Sequence, residues 1–541
     1  MIRKTQLWLT AFSIAVILAI APPAKAAQHL YLTYGPFEFS IAVKDLNQFA
    51  QTGTIPPDLK FILNRFSPEQ QTQIRDLLRL KNEINPVILS RVTYTATVER
   101  LIRRIGELIQ TRDRQNGFYA IRAALLQSAT DPQGLSILNF LQKFPTDLRL
   151  DLPATLKFVN QLKATIKDTN TFVADLEKET TKIAQSESPV DLNQLADLRQ
   201  PGALTVVMQT LSLRDKKRAL HSRYRNGRPL TVDLYRPTTS NPTPIILISG
   251  GLGGDRNHFK DLAQHLASQG FTAVVLDHPG SNAQRQRDFF KGLYSENFDS
   301  QDFIDRPLDI SFVLDELTQR NASEFNNQLN LQQVGMFGYS LGGTAALALA
   351  GATINFNQLE QDCGTQVNII NIAILYQCRA LELPRQNYQL KDDRIKAIFL
   401  FVPSSKHIYG TQGISHVRIP IFWQATNEDI ITPLILEQVP MFNALPSHQK
   451  YLAVSQGLPH TRVILRLLDR VTGTNRTMLS EELFKVTQDY LKTFNTAFFK
   501  AYISHDKTYR PYLTASYAQA FAQQPYSLSL VKSVQNLTNA D

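Results

Sequence analysis

At 541 residues the chain is too long for a single ordinary core, and its balance of 43% hydrophobic and 19% charged residues is that of a folded globular protein. The formal charge of +10 is modest for the size, and three of the positive charges (Arg3, Lys4 and Lys25) lie in the first 26 residues. No basic stripe is interleaved with aromatics: the densest cluster, Arg214 to Arg218, is broken by Asp215, which argues against a nucleic-acid partner.

Residues 1–26 read as a secretory signal peptide. Arg3 and Lys4 precede an apolar stretch from Leu7 to Ala21, and Ala24-Lys25-Ala26 resembles a cleavage site. Fifteen apolar residues fall short of the about twenty needed to cross a bilayer, although an uncleaved N-terminal anchor is the alternative. No later segment is long and apolar enough to span, so the expectation is an exported protein, periplasmic or extracellular.

Residues 27–200 read as an all-α domain of unknown function. Pro56, Pro57, Pro68, Pro86, Pro132, Pro145 and Pro153 separate runs such as Thr72–Asn82, Thr95–Gln110 and Phe118–Ser128. Val98, Leu101, Ile102, Ile105, Leu108 and Ile109 fall on one helical face. Ser186 to Pro201 is the expected connection.

The pattern then changes. Leu220–Arg225 and Leu230–Tyr235 flank Asn226-Gly227, a strong hairpin signal because both positions tolerate positive φ. Short apolar runs then alternate with helical segments. Ile245–Ile248 precedes a helix near Phe259–Ser268, and Thr272–Leu276 precedes one near Arg306–Arg320. Val334–Phe337 precedes the Ala-rich run Thr344–Ala350, and Ile395–Val402, Ile419–Gln424 and Tyr451–Val454 continue the series. This alternation predicts an α/β domain over residues 201–480, its mostly parallel sheet covered by helices on both faces. Two stretches interrupt it. Residues 280–301 are aromatic-rich, and residues 352–393 hold both cysteines; both are candidates for lid or pocket walls, 352–393 being the candidate lid insert, with ordinary surface excursions as the alternative. Cys363 and Cys378 fit either a disulfide or two buried thiols, and no Cys or His spacing suits a metal. Residues 481–541, helical over Glu481–Ile503 and Ser516–Val534, are expected to pack on this α/β domain.

Gly338-Tyr339-Ser340-Leu341-Gly342 lies between a predicted strand and a predicted helix. A serine on such a turn has its hydroxyl exposed and its following N–H groups at a helix start. It needs a base and an orienting acid, expected in the order Ser, acid, His. Asp429 follows the Ile419 strand and His460 follows the Tyr451 run, both on the same sheet edge as Ser340. Glu428 competes with Asp429, because a shift of one residue reverses where a side chain points. The N–H of Leu341 and one from Ser249-Gly250-Gly251-Leu252-Gly253-Gly254 are the candidate oxyanion donors. That loop lacks the lysine and spacing of a phosphate-binding loop.

From about residue 215 to 500 the chain resembles α/β hydrolases of the branch that contains dienelactone hydrolases and platelet-activating-factor acetylhydrolases. Ser249-Gly250-Gly251-Leu252-Gly253 resembles the latter's S-H-G-L-G loop, which implies Leu252 as second donor, with Gly250 standing where that family has His. Arg306-Pro307-Leu308-Asp309-Ile310 is also similar, and the resemblance implies a structural Arg306–Asp309 pair. The acetylhydrolase acid follows an earlier strand, but Phe401-Val402-Pro403-Ser404-Ser405 has no carboxylate, which favours Asp429. The whole chain resembles cyanobacterial-type exported α/β hydrolases with an N-terminal domain of unknown function, for which a thylakoid-lumen location is also open. The implied activity is hydrolysis of a small-molecule or lipid-like ester by Ser340, His460 and Asp429, a mechanism that requires no metal or cofactor. An acyltransferase using the same triad, or a binding scaffold on the same fold, is the alternative.

Overall fold

The computed structural model describes residues 26–218, 225–364, 369–460 and 480–538, so the expected signal segment lies almost wholly outside the described residues. The chain forms two compact units, one comprising residues up to Thr93 with Leu101–Phe158, the other Tyr94–Arg100 with Val159 onward.

The first unit is mostly helical but not all-α. It holds a four-stranded sheet in the order β2-β1-β4-β3, with β1 His29–Tyr34, β2 Phe37–Ala42, β3 Ile109–Thr111 and β4 Leu148–Asp151. β1 and β2 form an antiparallel hairpin through Gly35 at φ 58°, and β4 runs parallel to β1 with Leu30 opposite Leu148. The expected helix Thr95–Gln110 stops at Leu108, and Ile109 continues as β3. Amphipathic spacing could not reveal this, because a three-residue strand is stabilised by partners remote in sequence. Ile41, Phe49, Ala50, Leu59, Leu63, Leu78 and Leu138 form this unit's core.

The last of the three crossings between units, after Phe158, falls within the helix Leu152–Ser186 and not in the Ser186–Pro201 connection. That connection belongs to the second unit: Leu198 is buried in its core, and Ala196 accepts a hydrogen bond from Tyr512 through its carbonyl.

The second unit is built on a nine-stranded sheet in the order β13-β12-β11-β10-β9-β7-β8-β6-β5. In chain order the strands are β5 Val206–Asp215, β6 Arg228–Pro237, β7 Thr243–Ser249, β8 Thr272–Asp277, β9 Leu329–Tyr339, β10 Ile395–Phe401, β11 Ile421–Thr426, β12 Lys450–Ser455 and β13 Leu528–Val531. The run from β8 through β7, β9, β10 and β11 to β12 is parallel, while β5, β6 and β13 join antiparallel. β6 pairs antiparallel with β5, Asp215 standing opposite Arg228, and the expected hairpin partner Leu220–Arg225 lies almost wholly outside the described residues, which omit 219–224. The tail is not purely helical, because after the helix Ala515–Phe521 it contributes β13.

Strict alternation along the central strands separates two cores, since successive strand side chains point to opposite faces. Ile245, Leu247, Met336, Ile398, Leu400 and Trp423 face one layer, packed by α2 (Asp302–Phe325) and α3 (Leu341–Leu349). Ile246, Ile248, Phe337, Phe399 and Phe422 face the other, packed by α1 (Lys260–Ser268) and α4 (Ser480–Tyr502). Phe422 stacks at 4.6 Å on Phe399 and at 5.3 Å on Phe494 of α4. This rigid sheet presents the C-terminal ends of its parallel strands, and the loops beyond them, along one edge, where open α/β sheets bind ligands.

Candidate active site

β9 ends at Tyr339, and Ser340 turns the chain into α3 at φ 52°, ψ −117°, a conformation rare for a residue with a side chain. Its N–H is held by the Phe401 carbonyl at 2.9 Å. The two flanking glycines are steric necessities: a Cβ on Gly338 would lie 2.5 Å from the Gly342 carbonyl oxygen, and one on Gly342 would lie 2.0 Å from that of Ser249. Leu341 is the first residue of α3, so its N–H has no acceptor within the helix.

Asp429 sits in the loop after β11, where its own backbone cradles it. Oδ1 accepts from the N–H groups of Ile431 and Thr432, each at 2.8 Å, and Oδ2 accepts from Thr432 Oγ1. Oδ2 also lies 2.6 Å from His460 Nδ1, and His460 Nε2 lies 3.1 Å from Ser340 Oγ. Ser340, His460 and Asp429 thus form one hydrogen-bonded line, and the carboxylate at Nδ1 is that of Asp429 rather than Glu428. Burial opposes ionisation of Asp429, but the charge of His460 and the bonds from His460 and Thr432 outweigh it and hold the carboxyl below its ordinary range. An anion there fixes the imidazole with Nε2 free to accept the serine proton.

His460 is held from behind. Tyr339 donates its hydroxyl to the His460 carbonyl at 2.8 Å, and Asn427 accepts from the Gly457 N–H at 2.9 Å. Tyr339 and Thr432 were not singled out from the sequence. Thr432 carries a local signal, an Asp three residues before a Thr, which suits a side chain that caps its own loop.

Leu252, Ser340, Leu341 and His460 line one cavity of about 220 Å³, together with Phe298, Phe303, Ala373, Tyr376, Gln377 and Ile431. Phe298 comes from the 280–301 stretch, and Ala373, Tyr376 and Gln377 from the 352–393 stretch. The second stretch is tied by a disulfide between Cys363 and Cys378, whose 15-residue span corresponds to about 3 kcal/mol of loop-closure stabilisation. Arg379 joins the two stretches by donating to the Phe298 carbonyl at 2.8 Å and pairing with Glu296 at 3.2 Å.

The expected Arg306–Asp309 pair is not formed. Asp309 is taken by Arg228 (2.8 and 3.1 Å), Arg218 (2.6 Å) and His278 (3.0 Å). Arg306 instead binds the carbonyls of Gly250 and Gly251 in the glycine-rich loop. Arg228 arrives from β6, a strand whose neighbourhood to α2 the helix sequence does not encode.

Two family profiles match the chain. One, described as an alpha/beta hydrolase of unknown function (DUF1400), covers residues 26–151, and the other, the alpha/beta hydrolase fold, covers residues 243–353, from β7 through the serine turn and α3. No curated protein matches the chain. Sheet order, serine turn and profile matches agree: the chain has the α/β-hydrolase fold and is related to that superfamily.

Proposed function

We propose that this protein is a serine hydrolase that cleaves carboxylic esters. The observation that carries the reading is the line Ser340 Oγ–His460 Nε2 at 3.1 Å and His460 Nδ1–Asp429 Oδ2 at 2.6 Å, opening on an apolar cavity. Ser340 Oγ attacks the ester carbonyl carbon while its proton passes to His460 Nε2. The carbonyl oxygen, now negative, is received by the N–H groups of Leu341 and Leu252. Collapse breaks the bond to the alcohol oxygen, which leaves with the proton from Nε2. Water, deprotonated by the same nitrogen, then releases the acid and regenerates Ser340.

The cavity narrows the substrate class. Apart from His460 and Tyr residues, its lining carries no titratable side chain, so a charged group entering it would lose hydration without a partner. Its volume of about 220 Å³ is below the roughly 300–1,000 Å³ of sites for drug-sized ligands, and suits one uncharged apolar acyl group. We further infer an oxidising, extracytoplasmic location, supported by the Cys363–Cys378 disulfide and the signal-like residues 1–26. The purified mature protein should hydrolyse short p-nitrophenyl esters and be labelled by a fluorophosphonate probe, and Ser340→Ala should lose both. A wild-type protein with neither property would be a binding scaffold on this fold.

A further inference from the structure

Building on the serine-hydrolase reading, we infer that Arg306 is a positioning residue for the oxyanion hole: its guanidinium pins the carbonyl side of the peptide whose N–H, that of Leu252, serves the developing oxyanion. Arg306 Nη1 donates to the Gly250 carbonyl at 2.5 Å and Nη2 to the Gly251 carbonyl at 3.2 Å. The Gly251 carbonyl and the Leu252 N–H belong to one planar trans peptide and point in opposite directions. Fixing the first on Arg306 therefore aims the second away from it, and Leu252 lines the cavity with Ser340 and His460.

The neighbouring donors of the loop are committed elsewhere. The Gly253 N–H binds the Ser281 carbonyl at 2.7 Å and the Gly254 N–H turns back to Gly251 at 3.3 Å. Arg306 is itself locked, with Nε and Nη2 donating to Ser281 Oγ at 3.0 and 2.6 Å, and Ser281 Oγ donating to Asp302. The fork, rather than charge alone, performs the task. The nearest contact of Arg306 to Asp302 is 3.6 Å, whereas Arg228 bonds both oxygens of Asp309 and one of Asp302. An ammonium would keep the charge but not the two-pronged geometry.

Arg306→Lys is the discriminating variant, assayed on a p-nitrophenyl ester and with a trifluoromethyl ketone that forms a tetrahedral adduct on the serine. The expected result is a folded enzyme with KM within about threefold of wild type, kcat lowered about 10²-fold, and affinity for the ketone lowered in parallel. A folded variant with kcat within about threefold of wild type, or with lowered kcat and unchanged ketone affinity, would overturn the assignment. Should the lysine variant not fold, Ser281→Ala keeps the arginine and removes its anchor. It should lose about tenfold in both kcat and ketone affinity, and no loss in either would equally overturn the role. Failure of the serine-hydrolase reading is distinguishable, because the wild type itself would then neither label nor turn over.

Discussion

Ser249 Oγ lies 2.9 Å from His278 Nε2, and the far nitrogen of that ring lies 3.0 Å from Asp309 Oδ2. This second Ser-His-Asp line has the bond pattern of the first but no access. Ser249 and Asp309 are fully buried, none of the three residues lines the cavity, and burial with the nearby Arg306 charge pushes the His278 pKa down. Its role is to tie β7, β8 and α2 together. Ser249→Ala should therefore retain fluorophosphonate labelling at Ser340 and lose about 1–3 kcal/mol of stability in denaturant unfolding, the cost of a buried ring nitrogen left without a partner. Ser340→Ala should show the reverse: no labelling, little change in stability.

Asp429→Asn should keep the loop and lower kcat about 10³- to 10⁴-fold, because an amide cannot hold the imidazole in the required tautomer or stabilise its cation. Glu428→Gln should change kcat by less than about threefold. Steady-state kinetics of both variants on one ester checks this, and the opposite ranking would move the acid to Glu428.

Ala373 is the smallest apolar residue lining the cavity, which it shares with Phe298, Phe303 and Tyr376. Ala373→Phe should fill the cavity rather than disturb the triad. The ratio of kcat/KM for p-nitrophenyl hexanoate to that for the acetate should fall at least about tenfold, since each excluded methylene is worth about 1–3 kcal/mol. An unchanged ratio would place the acyl group elsewhere.

His265 on α1 is buried against α4, with Nε2 3.1 Å from Thr496 Oγ1. Burial, assisted by the Lys492 charge, lowers its pKa to about 4. The unfolded chain takes up this proton near pH 6.5, so the contribution is full above about 6.5 and is lost as the pH falls towards 4. The shift corresponds to about 3 kcal/mol over that window. Asp305, raised to about 6 mainly by burial, acts with the opposite sign and gains stability as the pH falls. Because Asp305 is common to both proteins, the comparison isolates His265: His265→Gln should flatten the decline in melting midpoint between pH 6.5 and 4. Parallel profiles for the two proteins would rule this contribution out.

What could be read from the residues alone was whatever rests on local periodicity and local geometry. Ile245–Ile248, Val334–Phe337 and Ile395–Val402 carry the run lengths of buried strands, and a serine between glycines at a strand-to-helix junction has few backbone solutions. Partnership across distance was not legible, for the same reason that it is specific: it depends on which surfaces meet. β1 and β4 pair over more than a hundred residues, β6 pairs with β5, and Arg228 claims the aspartate assigned by resemblance to Arg306. That Asp429 stands at His460 depends on a loop in which the N–H groups of Ile431 and Thr432 bind its carboxylate. The sequence by itself thus determined the fold class and named Ser340, Asp429 and His460 as candidates. Only the tertiary structure decided how they meet, what closes the cavity around them and which charge holds the glycine loop, because those depend on packing between elements that no local pattern encodes.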